Sequence, residues 1–110
     1  MDLTEKEFTH GIILTVNEVR IDMAISRIFR EKISMILEKK PKVLIINLTG
    51  VDYLDSSALG ALVTILKEAK SYGGSVRLTD LNQTLRTLIK LSKLESMFPI
   101  YENIDEAMHS

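Results

Sequence analysis

The apolar run at residues 43–48, VLIINL, and the segment YLDSSALG at 53–60 that follows it constrain this chain more than any other feature. A near-continuous apolar run of this length reads as a strand covered on both faces, as strands of parallel or mixed sheets are. A short loop then delivers Asp55, Ser56 and Ser57 to the start of an apolar helix. The first N–H groups of a helix have no intrahelical partners and carry the positive end of its dipole, so this junction favours anionic oxygen. A phosphate carried on a serine there would be well placed. Taken in isolation, an Asp-Ser-Ser is better accounted for by Asp55 or Ser56 acting as a simple N-cap.

The rest of the chain alternates strand-like and helix-like patterns. Residues 12–16 are a short β-rich run with residues 3–8 as a weaker partner, which predicts an opening hairpin turning near Thr9, His10 and Gly11. Ile25, Ile28, Phe29, Ile33, Ile36 and Leu37 recur at helical spacing and predict an amphipathic helix over 23–39. A second helix is expected over 57–71, closed by Gly73 and Gly74, followed by a strand at 75–79. Asn82 is placed to cap a third helix that buries Leu85, Leu88 and Ile89. Residues 94–98 read as a helical turn and 99–101 as a short edge strand, since proline is tolerated at an edge. Asn103 with Glu106 resembles a capping box opening a last short helix that runs to Met108. Strands and helices that alternate over short connections specify an α/β chain with a central sheet and helices packed on it.

Composition narrows the chemistry. With 110 residues, 45% of them hydrophobic, residues 1–110 read as a single domain with enough core to fold without metal or disulfide support. The absence of cysteine removes disulfides, thiolate metal sites and thiol nucleophiles. The beginning MDLTEKEF has no apolar signal region, and the run at 43–48 is too short to span a bilayer, so the expectation is a cytoplasmic protein with no membrane insertion. Basic and acidic residues balance at 14 against 15 and are scattered, which argues against direct nucleic-acid binding. Lys39, Lys40 and Lys42 form the one basic cluster and read as a solvated helix end before Pro41.

Catalytic groups are scarce. His10 falls in a turn and His109 next to the last residue, and neither histidine nor lysine is evident as a partner for Asp55, Ser56 and Ser57 in a nucleophile relay. Gly73 and Gly74 follow a helix and precede a strand, without the Gly-Lys-Ser/Thr of a phosphate loop. The chain therefore reads as a binding module and substrate, not an enzyme, with no cofactor and no metal. On a helical wheel Leu59, Leu62, Val63, Leu66 and Ala69 form an apolar arc expected to face the sheet. Ser57, Gly60, Thr64 and Ser71 form a separate strip of small residues, with Ala61 at its boundary, low enough for another protein to approach closely.

The stretch from Lys42 to Gly60 resembles the central motif of the STAS family, in which an apolar strand ends in Asn-Leu or Asp-Leu and leads to Asp-Ser-Ser/Ala/Thr-Gly-Leu-Gly. Asn47, Leu48, Val51, Tyr53, Leu54, Asp55, Ser56, Ser57, Leu59 and Gly60 occupy the matching positions. The resemblance implies the STAS fold, a mixed central β-sheet of four to five strands flanked by four to five α-helices. It also implies the role of the family's best-known members, the anti-sigma factor antagonists. In that role Ser57 is the phosphoacceptor, and Asp55 and Ser56 form its loop. The partner is an anti-sigma factor with serine kinase activity, which holds the ATP and Mg²⁺; a serine phosphatase would reverse the modification. Gly60, Ala61, Thr64 and Arg20 are the expected partner-binding residues. Two positions depart from the family pattern. Asn17-Glu18-Val19-Arg20 stands where Gly-Glu-Leu/Ile-Asp is common, putting Arg20 in place of an aspartate near the phosphorylation loop, and Ala58 stands where Gly is usual. The alternatives are a constitutive STAS scaffold or transporter-associated subunit without a phosphoswitch, and a small enzyme or nucleotide-binding domain.

Overall fold

The computed structural model describes residues 1–110. Strands β1 (Leu3–Phe8) and β2 (Gly11–Val16) form the opening hairpin, antiparallel with Phe8 opposite Gly11. A two-residue strand β3 (Arg20–Ile21) precedes helix α1 (Met23–Leu37). Strand β4 (Val43–Asn47), the short β5 (Tyr53–Leu54) and helix α2 (Ser56–Lys70) follow. The chain ends with β6 (Ser75–Thr79), α3 (Gln83–Leu91), β7 (Ile100–Tyr101) and α4 (Ile104–Met108). The five-stranded sheet has the order β1-β2-β4-β6-β7, mixed because only the β1–β2 pair is antiparallel.

This order explains the layering. From β2 onward each parallel step moves the same way across the sheet, so crossovers of one hand deposit their helices on one face. The main core lies on that face, where Leu44 and Ile46 of β4 meet Phe29, Ile33, Leu62, Leu66, Leu85 and Ile89 from α1, α2 and α3. Alternate residues Val43 and Ile45 point the other way, with Ile13, onto Ala107 of α4. The apolar run is thus covered on both sides, as its composition requires. Residues 94–98 make a single turn in which Met97 and Phe98 N–H donate to the Leu94 carbonyl, placing Phe98 in the core before the edge strand.

Two features were not legible beforehand. The pair β3 and β5 forms a separate two-stranded parallel sheet, Arg20 opposite Tyr53 and Ile21 opposite Leu54. Two-residue strands carry no period, so sequence gives no sign of them. The second correction concerns α2, whose buried residues are Ala58, Ala61, Leu62, Ile65, Leu66 and Ala69; Leu59 and Val63 of the expected arc are only half-buried. The buried face is turned toward α1 because α2 packs against that helix as well as against the sheet. The two run side by side in the same direction, and Ser34 Oγ of α1 donates to Glu68 Oε1 of α2 at 2.7 Å.

Gly11 permits a backbone approach that any side chain would block. A Cβ built there would lie 1.8 Å from the Val43 carbonyl oxygen, at the point where β2 and β4 begin to pair. Gly11→Ala should force the strands apart and cost about 1–3 kcal/mol, the usual range for overpacking. Gly50→Ala, where an added Cβ meets nothing within 4 Å, is the control. Urea denaturation of both checks this: the midpoint should fall for Gly11→Ala and stay near wild type for Gly50→Ala.

Candidate functional site

Asp55 is the organising residue of the loop, and it caps two helices. Its Oδ1 accepts from Ala58 N–H at 3.0 Å at the start of α2, while Oδ2 accepts from Met23 N–H at 2.9 Å, the first residue of α1. The positive ends of two parallel helices thus converge on one carboxylate. Asp22 caps α1 by accepting from Ala24 N–H at 3.0 Å, so Met23 N–H, one of the N–H groups left over at the helix start, is free to bond Asp55. Asp55 is held in place by the small sheet, where its own N–H donates to the Ile21 carbonyl at 3.2 Å. Behind it, Asn82 caps α3 through Leu85 N–H at 2.8 Å and donates from Nδ2 to Asp52 Oδ1 at 3.1 Å and the Val51 carbonyl at 3.3 Å. The loop before α2 is therefore tied to the starts of three helices.

Ser57 Oγ donates to Asp55 Oδ1 at 2.6 Å. That bond, followed by the one from Ala58 N–H, holds the Asp55 carboxyl below its ordinary value of 3.8. Of the two candidate caps, Asp55 takes the role; Ser56 is the first helical residue and is exposed. The arrangement also amends the expectation that a phosphate would rest on the helix start, because a carboxylate already sits there.

Beside Ser57 runs a groove of about 460 Å³ between α1 and α2, lined by Ser57, Gly60, Ala61 and Thr64 on one side and Ser26, Arg27 and Arg30 on the other. Gly60 and Thr64 are exposed, and a Cβ on Gly60 would meet nothing within 4 Å. Ala61 corrects the expectation of an open docking residue. Only 6% exposed and part of the main core, it forms the groove floor, where a small side chain lets α1 and α2 come together. Arg20 sits at the edge of the same loop, opposite Tyr53 in the small sheet and outside the groove. Its guanidinium pairs with Asp22 at 3.5 Å and stacks over the Tyr53 ring at 5.1 Å, and it lines no part of the groove. Arg27 and Arg30 were missed, since on α1 they read as ordinary solvent-facing residues and only the packing of α1 on α2 brings them to Ser57.

Elsewhere the surface offers less. Lys39 of the basic cluster pairs with Glu5 at 3.1 Å, and no group of three or more His, Cys, Asp or Glu side chains is arranged to hold a metal. No helix is long and apolar enough to cross a membrane.

Comparison with known proteins gives a consistent set of likenesses. Residues 4–107 match the STAS domain. A provisionally named anti-sigma factor antagonist of Thermotoga maritima is 38% identical over 61 residues, 56% of this chain and 54% of that protein, so the match spans about half of that relative's length. The anti-sigma-B factor antagonist of Bacillus subtilis is 32% identical over 80 residues, 73% of this chain and 72% of its own. The crystal structure of a provisionally named anti-sigma factor antagonist from Thermotoga maritima superposes with a TM-score of 0.86 at 25% identity, over 97% of this chain and 92% of that one.

The hydrogen bond from Ser57 sets a pH prediction. A carboxyl depressed in the folded state contributes stability that is fully present above its unfolded value near 3.8 and is lost as pH falls through the lower folded value. Ser57→Ala removes the largest cause of the depression, so the Asp55 carboxyl should titrate closer to 3.8 in the variant. Carbon-13 NMR titration of the Asp55 carboxyl checks this. The stability difference between wild type and variant should shrink once pH drops below both values.

Proposed function

Because the chain belongs to the STAS domain family, we propose that it acts as an anti-sigma factor antagonist switched by phosphorylation of Ser57. In the unmodified form it binds an anti-sigma factor that is also a serine kinase, and modification by that kinase releases it. The observation that carries this reading is the Ser57 hydroxyl, oriented by Asp55 at the mouth of an exposed small-residue strip. Donation of its hydrogen to the carboxylate fixes the direction of the oxygen lone pairs, which is the positioning an acceptor of a phosphoryl group needs. Oγ forms a bond to the γ-phosphorus of ATP held by the kinase as the bond to ADP breaks, and the hydroxyl proton passes to a base of the kinase.

The docking face comprises Gly60 and Thr64 beside Ser57. Arg20 extends it, together with Val19, Met23 and Tyr53, whose apolar side chains are 63%, 78% and 39% exposed around the same loop. Solvent exposure of this much apolar surface next to one loop fits a surface that another protein covers. The names of the relatives agree with a regulator of this kind. A phosphate adds roughly −1.5 to −2 charges and three acceptor oxygens to the face, enough to reverse complementarity with a bound partner.

Incubation with the cognate anti-sigma kinase and ATP should add one phosphate to the wild-type chain and to Ser56→Ala, and none to Ser57→Ala. Intact-mass and peptide spectrometry read the outcome, and stoichiometric labelling of Ser57→Ala would reject the assignment. Docking has its own test in Gly60→Arg. Arginine forms helix better than glycine by about 0.8 kcal/mol and meets no neighbour there, so folding stability should hold. Affinity for the anti-sigma factor, measured by calorimetry, should fall by about 2 kcal/mol, roughly 30-fold in Kd.

A further inference from the structure

We propose that the groove between α1 and α2 is a receptor for the Ser57 phosphate, in which Arg27 and Arg30 clamp the phosphoryl group and the Ser26 hydroxyl donates to it. The inference rests on the reading of Ser57 as the phosphoacceptor and adds where the phosphate goes. The starting point is Asp55. Phosphorylation removes the hydrogen that Ser57 donates to Oδ1 across 2.6 Å and places a dianion against a carboxylate already engaged by Ala58 and Met23 N–H groups. Like charges at that separation repel strongly, and the carboxylate is fixed by its bonds, so the Ser57 side chain is the part that turns.

Rotation away from Asp55 leads into the groove that Ser57 already lines. The cations on its walls are Arg27 and Arg30, one helical turn apart on the same face of α1. Arg30 has no ion-pair partner, and Arg27 is held only by Glu31 at 3.4 Å in an exposed pair that is readily exchanged for a phosphate. Ser26 also lines the groove; though the residue is only 8% exposed, its hydroxyl opens onto the groove's solvent and is bonded to no protein group. It is free to donate to a phosphate oxygen there. Room is ample, since a groove of about 460 Å³ exceeds many times the ~30 Å³ share of one water molecule.

The consequence is a specific mode of release. The phosphate, drawn into the groove, fills the space beside Gly60 and Thr64 and removes two arginines from any acidic partner surface. Shielded there, it is also slow to be hydrolysed, so the clamp sets the lifetime of the released form.

The test uses phosphoserine installed at position 57 during translation, which makes it independent of any kinase. Wild type and the Arg27→Gln/Arg30→Gln pair are compared in phosphorylated and unmodified forms. The arginine Nε–H signals should shift on phosphorylation of the wild type. The double substitution should lower the melting temperature of the phosphorylated form by roughly 3 °C or more beyond its effect on the unmodified form. It should also speed dephosphorylation by a serine phosphatase several-fold. Equal melting shifts in both forms, with Nε–H signals that ignore the phosphate, would overturn the clamp. Failure of the anti-sigma kinase to label Ser57 is a separate result, which removes the proposed function and leaves the groove measurement intact.

Discussion

The Asp55 carboxylate holds the starts of α1 and α2 together, and the functional end of the molecule depends on that arrangement. Two helices running side by side in the same direction bring their positive ends to one place, an arrangement that is unfavourable unless an anion lies between them. Asp55 supplies it, bonding Met23 N–H and Ala58 N–H with different oxygens. The β3–β5 pair fixes the height of the carboxylate through the bond from Asp55 N–H to the Ile21 carbonyl. Remove the anion and the helix starts lose their shared partner, while the loop loses the reason for its shape.

From this constraint the groove follows. Parallel helices in contact need small residues where they come closest, and Ala61 on α2 with Ser26 on α1 meet that need, both nearly buried. The same closeness brings Arg27 and Arg30 alongside the α2 strip. A serine hydroxyl, a carboxylate that orients it and a pair of cations then stand within one small surface, although they come from distant parts of the chain. Arg20 stands at the edge of the loop, engaged by Asp22 and the Tyr53 ring, and does not enter the groove. The local positive charge comes from α1 instead.

Away from the site the sheet does the structural work. The single direction of its parallel steps places three helices on one face, and α4 closes the other over Ile13, Val43 and Ile45. Gly11 admits the β2–β4 contact that begins this parallel array.

The sequence by itself determined the elements. A run such as VLIINL has one economical fate, a strand covered on both faces, and helical periodicity, N-cap residues and glycine stops are local signals that survive any arrangement of the whole. The cap of α2 was legible to within one residue, Asp55 or Ser56, for the same reason, since an N-cap is written in consecutive residues. Tertiary structure alone decided the rest: that Asp55 caps a second helix 32 positions away, that Ala61 is floor and not rim, that Arg20 stays outside the groove, and that Arg27 and Arg30 line one groove with Ser57. Each of these depends on the rotation and separation of α1 against α2. That geometry is set by the summed packing of side chains from many parts of the chain onto one sheet face, and no local window of residues encodes such a sum.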